Sequence, residues 1–200
     1  MDVSAGFQVR VRRQMREDAM DAAYRVLVES GWSAVRMTGI AAAVGVSRQS
    51  LYKEFATKEE IGGALILREA TRFSEGVNAQ IRMADNASAV IEAAIRFGFE
   101  HGSANRVLIA ILADPGHSGG GGLLPFITTD AGTLIDIAAG LLVEPILQRE
   151  PGLDPEDVAA TCDALTRLML SHLLQPLGDT ETAIHRLIRM AHRNLGLPCP

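Results

Sequence analysis

Apolar positions along the chain recur with a helical period rather than on alternate residues, and the breaks between the runs carry helix-capping residues. Met15, Ala19, Ala22, Val26 and Leu27 share one helical face, and Gly31 closes that segment. Thr38 is placed to N-cap a short helix over 39–44 that stops at Gly45, and Ser47 to cap a second over 48–55. Thr57 and Glu60 have capping-box spacing, and the pattern then runs from Lys58 to about Met83. Further helices are predicted near 87–102, 105–113, 130–149, 155–176 and 180–195. The breaks fall at Asp85-Asn86, Asp114-Pro115, Pro151-Gly152 and Gly178-Asp179. Pro145 lies inside one pattern and is expected to kink it. No segment alternates with period two between hairpin turns, so the expected fold class is all-α.

Composition sharpens this picture. Hydrophobic residues make up 48% of the 200 residues and aromatic ones only 4%, so aliphatic side chains and alanine must fill the core. The net charge of −5 hides an asymmetry. Residues 1–58 hold 9 Lys and Arg against 6 Asp and Glu, a surplus of 3 positive charges, whereas 59–200 hold 10 against 18. A small basic head on an acidic body is compatible with binding phosphate through the head. The N-terminus has no apolar run of signal-peptide type. The best apolar stretch, LIDIAAGLLVEPIL (134–147), is interrupted by Asp136 and Glu144 and is short for a membrane span. Cys162 and Cys199 have no metal-ligand spacing, and nothing requires a bridge between them. A cytoplasmic protein with no membrane partner is expected.

The head reads TGIAAAVGVSRQSLYKEF over 38–55. Gly45 accepts the positive φ that a tight turn between two helices needs. Val46 and Leu51 are spaced as a hydrophobic staple across the Ser47 cap, and Ile40, Val44, Leu51 and Phe55 are expected to pack beneath the pair. Arg48, Gln49, Tyr52 and Lys53 are left outside. Arg suits the O6/N7 edge of guanine and Gln the N6/N7 edge of adenine, while Tyr and Lys commonly contact phosphate.

The stretch TGIAAAVGVSRQSLYKEFATKEEI, preceded by Ser30-Gly31-Trp32, resembles the helix-turn-helix of TetR-type transcriptional repressors. The matching pieces are Thr38, Ile40-Ala41, Gly45-Val46-Ser47, Leu51-Tyr52, Phe55 and Lys58-Glu59. The resemblance implies an N-terminal three-helix DNA-binding domain over 1–58 and a helical effector-binding and dimerisation domain over 59–200. It implies phosphate contacts from Thr38, Tyr52 and Lys58, with Ser47, Arg48, Gln49, Ser50 and Lys53 completing the DNA face. Arg10, Arg12, Arg13 and Arg16 would reach the flanking backbone. Glu54 departs from the family's usual His or basic residue and is expected to weaken phosphate attraction slightly or to pair with a neighbouring cation.

For the body, the resemblance implies a homodimer through the last two long helices. The apolar stripes there offer Val158, Cys162, Leu165 and Leu173 on one helix and Ile184, Leu187, Ile188 and Ala191 on the other. One stripe could cover the subunit's own core, and both roles can hold, because these helices look apolar over more than half their circumference. It also implies a small-molecule cavity, for which Phe73, Ile95, Phe97, Phe99, Leu108, Phe126, Leu141 and Met169 are the candidate walls. Apolar walls favour a hydrophobic or amphipathic effector. Gly62-Gly63, near the start of the long helix from Lys58, allows close backbone packing or a bend.

One stretch points elsewhere. Gly116-His117-Ser118-Gly119-Gly120 matches G-x-S-x-G, which would make the chain a small serine esterase using Ser118. That elbow needs a strand before the serine and a helix after it, whereas a helical pattern precedes this one and more glycines follow. Residues 116–122 therefore read as a connecting loop, and no catalytic residue is assigned. His185 and His192 stand two helical turns apart, too far for a helical metal pair, and no metal or cofactor is expected. A helical protein-interaction module is the remaining alternative. The expected function is a non-enzymatic, ligand-responsive repressor of operator DNA.

Overall fold

A computed structural model describes residues 3–113, 122–128, 131–176 and 178–198, and every regular element among them is helical. In chain order the α-helices are α1 (Val3–Ser30), α2 (Met37–Val44), α3 (Arg48–Glu54), α4 (Lys58–Ile81), α5 (Ala87–Ser103) and α6 (Arg106–Ala113). They continue with α7 (Leu124–Ile127), α8 (Gly132–Arg149), α9 (Pro155–Leu174) and α10 (Thr180–Leu195). A 3₁₀ turn at Trp32–Ala34 links α1 to α2. Ser118 and Cys199 lie outside the described residues.

The caps account for most boundaries. The side chains of Ser47, Asn86, Asp154 and Asp179 accept backbone N–H groups in the first turns of α3, α5, α9 and α10. Thr57 and Glu60 cap the start of α4 in a variant of the expected capping box: Glu60 N donates to Thr57 Oγ1 at 3.2 Å, while Glu60 Oε2 accepts from Ala56 N, one residue before the cap, at 2.9 Å. Gly31 and Gly45 adopt φ of 80° and 77°, ending α1 and α2 as their sequence positions suggest. One cap differs. Arg36, not Thr38, is the N-cap of α2, with no side-chain cap bond, so Thr38 stands inside the first turn. Pro145 lies within the continuous run of α8.

The chain folds as two compact units. The first comprises residues 1–69 and 106–128. Its interior holds Leu27, Trp32, Ile40, Leu51, Phe55 and Ile61, among others. Arg68 of α4 reaches Glu17 at 3.1 Å and Asp21 at 2.8 Å, both on α1. Gly62 and Gly63 are points of close approach. A methyl group built on Gly62 would overlap Leu123 Cδ2 and lie 2.8 Å from Trp32 Cη2, and one on Gly63 would lie 3.0 Å from Phe126 Cε1. Close packing is therefore what this pair serves in the first unit.

The second unit comprises residues 70–105 and 129–200. Its aliphatic core draws on the end of α4 and on α5, α8, α9 and α10, with Val90, Ile91, Ile146, Val158, Cys162 and Ala191 fully buried. Arg149 of α8 donates to the carbonyls of Ala84 at 2.9 Å and Ile81 at 3.2 Å, satisfying acceptors at the end of α4. Helix α4 is thus one element whose residues up to Glu69 belong to the first unit and those from Ala70 to the second.

Candidate nucleic-acid interface and body cavity

The helix-turn-helix is held from below. Ile40, Leu51 and Phe55 are buried and Val44 is half-buried, which fixes α3 against α2. The turn is closed by the N–H groups of Gly45 and Val46, each 3.0 Å from Ala41 O. Ser47 Oγ accepts Ser50 N at 3.0 Å and shares a 2.8 Å hydrogen bond with Ser50 Oγ, so these two hydroxyls complete the helix start. Burying one side of so short a helix leaves Arg48, Gln49, Tyr52 and Lys53 exposed on the other. Thr38 is exposed beside them in sequence order at the start of α2, where uncapped N–H groups offer donors.

Three residues expected to contact the DNA backbone have other partners as well. Lys58 Nζ lies 5.0 Å from the centroid of the Trp32 ring, a cation–π arrangement at the start of α4. Arg12 Nε donates to Glu54 Oε1 at 2.6 Å, and Arg16 Nη1 donates to Glu54 O at 2.8 Å while its guanidinium stacks 4.1 Å from the Phe55 ring centroid. Glu54 thus finds the cations expected for it. Arg36, not singled out from the sequence, is an exposed basic residue at the start of α2 whose guanidinium donates to Ser33 O and Val35 O. Its position directly before Met37-Thr38 was the available signal.

The body contains a small apolar cavity of about 30 Å³ within the second unit. Phe73 and Val77 of α4, Ala94 and Ile95 of α5, and Leu141 and Leu142 of α8 form three walls. Leu165, Thr166 and Met169 of α9 form the fourth. Four of the residues expected there, Phe73, Ile95, Leu141 and Met169, therefore meet around one space. Phe97 backs the wall: its ring centroid is 5.4 Å from that of Phe73, and its other neighbour is the His101 ring, stacked at 3.8 Å. Phe99 is buried in the core with His172 at 6.0 Å. Leu108 and Phe126 belong to the first unit and do not line this cavity, a correction that helical spacing alone could not supply.

The residues expected at a dimer interface also serve the chain's own core. Val158, Cys162, Leu165, Ile184, Leu187, Ile188 and Ala191 are buried in the chain's own core, and Leu173 packs against that core. Their burial satisfies the apolar faces within one subunit. It pushes the Cys162 thiol up to about 12. What remains outside on α9 and α10 is an open groove of about 570 Å³, lined by Ala160, Ala164 and Met190 together with Arg186, Arg189 and Arg193. His185 and His192 part company: His185 is exposed, 3.3 Å from Glu181, whereas His192 is buried.

Comparison with known proteins places these features in a family. A model described as bacterial regulatory proteins, tetR family, matches residues 19–65, and one described as bacterial tetracyclin repressor, C-terminal domain, matches residues 85–193. The HTH-type transcriptional regulator AlkX of Mycobacterium tuberculosis is 28% identical over 176 residues, covering 86% of this chain and 81% of that protein. Among solved structures, the TetR family repressor AlkX from a Dietzia species, implicated in biodegradation of n-alkanes, superposes with a TM-score of 0.68 at 24% identity, covering 91% of this chain and 96% of that one. The structure of RolR in complex with resorcinol superposes with a TM-score of 0.64 at 15% identity, covering 96% and 97%. At these identities the two structures establish a shared fold.

Proposed function

The chain belongs to the TetR family of bacterial regulatory proteins, and from that membership we propose that it is a cytoplasmic, dimeric repressor released from operator DNA by a small apolar effector. The observation that carries the DNA-binding part is the exposed set Arg48, Gln49, Tyr52 and Lys53 on a helix anchored by Leu51, Phe55 and the Ser47 cap. Arg48 and Gln49 enter the major groove at the start of α3, Thr38 and Lys58 hold phosphates from helix N-termini, and Tyr52 and Lys53 flank them. The chain performs no catalysis in this reading.

A two-fold dimer presents two such helices to a palindromic site. Because the apolar stripes of α9 and α10 are used inside the subunit, the dimer forms through their outer faces. Small residues at Ala160 and Ala164 permit close approach there, and the arginines at 186, 189 and 193 complement the acidic residues Glu156, Asp157 and Asp163 of α9. The effector occupies the body cavity, and the similarity to a repressor implicated in n-alkane biodegradation agrees with its apolar walls. Helix α4, which contributes to both units, carries the change, provided that the effector binds the DNA-releasing state more tightly than the DNA-bound one. Selection of bound duplexes from a random pool tests the reading: a palindromic consensus is expected, and recovery of unrelated sequences would overturn it.

A further inference from the structure

Helix α5 carries two glycines one turn apart, Gly98 and Gly102, both buried in its middle and last turns. Interior glycines weaken a helix by about 1 kcal/mol each relative to alanine, so their presence needs a packing reason. Each receives one side chain from α9. A methyl group on Gly98 would overlap Met169 Sδ and lie 2.9 Å from its Cε, and one on Gly102 would lie 2.7 Å from Leu173 Cδ1. Met169 and Leu173 are likewise one turn apart. The first pair differs from the second in one respect: Met169 also forms part of the cavity wall. A matching notch lies on α4, where the Phe97 ring sits against Gly76 and thereby supports Phe73 on the opposite wall.

The cavity of about 30 Å³ is far below the roughly 300–1,000 Å³ of ligand sites. Binding therefore requires a wall to move. Met169 is the side chain built to do so, being unbranched, polarisable and free to rotate about several bonds. Gly98 gives it a seat at the chamber wall. The chemistry of the chamber is equally restrictive. Among the described residues no charged side chain lines it, and the one hydroxyl there, Thr166 Oγ1, already donates to Cys162 O at 2.8 Å. An ionised ligand group would be buried there without a partner, which is strongly unfavourable. A hydroxyl is far less costly to bury, and Thr166 Oγ1 retains acceptor capacity for it.

Resting on the reading of the body as an effector domain, we propose that Met169 seated on Gly98 is the adjustable wall that sets the length and width of the effector, and that the effector is a slender, uncharged aliphatic molecule such as a straight-chain alcohol. Carboxylates of the same length are excluded by the absence of a cation.

The experiment uses the full-length protein, with primary alcohols from octanol to hexadecanol and the matching fatty acids as probes, read by titration calorimetry. Operator binding by each variant is followed separately, so that loss of the DNA-binding reading is distinguished from loss of this one. Wild type is expected to bind alcohols about fourfold tighter for each added CH₂ until the chain outgrows the chamber, and to bind the acids weakly. Met169→Ala is expected to move that optimum to longer chains. Gly98→Ala, which drives Met169 into the chamber, is expected to weaken binding about tenfold or more. The double variant Gly98→Ala, Met169→Ala removes the overlap and is expected to recover binding, and it serves as the test even where the single glycine variant fails to fold. An optimum unmoved by Met169→Ala, a double variant without recovery, or acids bound as tightly as alcohols would overturn the proposal while leaving operator binding intact.

Discussion

Arg12 Nε donates to Glu54 Oε1 at 2.6 Å, joining the first helix to the last turn of the recognition helix. The arginine is 65% exposed and the carboxylate 9%, so the pair is open to solvent on one side only. Glu54 stands where the family usually has His or a basic residue, and its place in the structure explains how the acidic residue is accommodated: it holds one arginine by its carboxylate and Arg16 by its carbonyl. Both arginines are thereby fixed beside α3.

Glu54→Ala frees the Arg12 guanidinium and removes a negative charge close to the DNA face. The expected outcome is tighter operator binding and a plot of log affinity against log salt steeper by about one unit. Fluorescence anisotropy across a salt series checks it, and an unaltered slope would show that Arg12 does not reach phosphate when released. Folding stability should fall by about 1 kcal/mol, because the arginine side of the pair is open to solvent.

Gly62→Ala inserts a methyl group against Leu123 and Trp32 in a fully buried position. Destabilisation of about 1–3 kcal/mol is expected in chemical unfolding, as for other overpacked sites. Gly63→Ala, which meets only the edge of Phe126, should cost less. Equal stability of the wild type and the Gly62 variant would contradict the packing role and restore the simpler idea of a bend.

Much of this architecture is legible in the sequence, because caps are local. Ser47, Thr57 with Glu60, Gly31 and Gly45 each announce a boundary that depends only on near neighbours. The exceptions also have physical causes. Helix α7 is a single turn, too short to show a period, and Thr38 against Arg36 is a two-residue ambiguity in a cap made without a side chain. The reason for Gly62-Gly63 lies in side chains distant in the chain, Trp32, Leu123 and Phe126, which no local pattern reveals. The stripes of α9 and α10 show the general limit: an apolar face looks the same whether it covers the subunit's own core or a partner. For the same reason four of the eight candidate cavity residues converge on the cavity, while Phe97, Phe99, Leu108 and Phe126 support it or lie in other packing.

Placing charge on the outer face of α9 separates the two roles. Ala160→Glu with Ala164→Glu should yield a folded monomer with much weaker operator binding, measured by sedimentation. Ile188→Asp, buried in the core, should instead abolish cooperative unfolding. A dimeric Ala160→Glu, Ala164→Glu protein would exclude this face as the interface.

Cys162 has a thiol pushed up to about 12 by burial, so it is protonated at pH 8. In a Cys199→Ser background the native protein is expected to resist alkylation at pH 8 and to react fully once unfolded. Rapid modification of the native state would show that the core around α9 opens freely.

The DNA-reading role of α3 is tested most directly by comparing Arg48→Ala with Lys53→Ala on the selected operator and on duplexes carrying single base changes. Arg48→Ala should lose about 1–3 kcal/mol of discrimination at one or two base pairs, whereas Lys53→Ala should weaken binding to all sequences alike and reduce the salt slope. If both variants bind every duplex as the wild type does, the exposed face of α3 is not the surface that reads DNA.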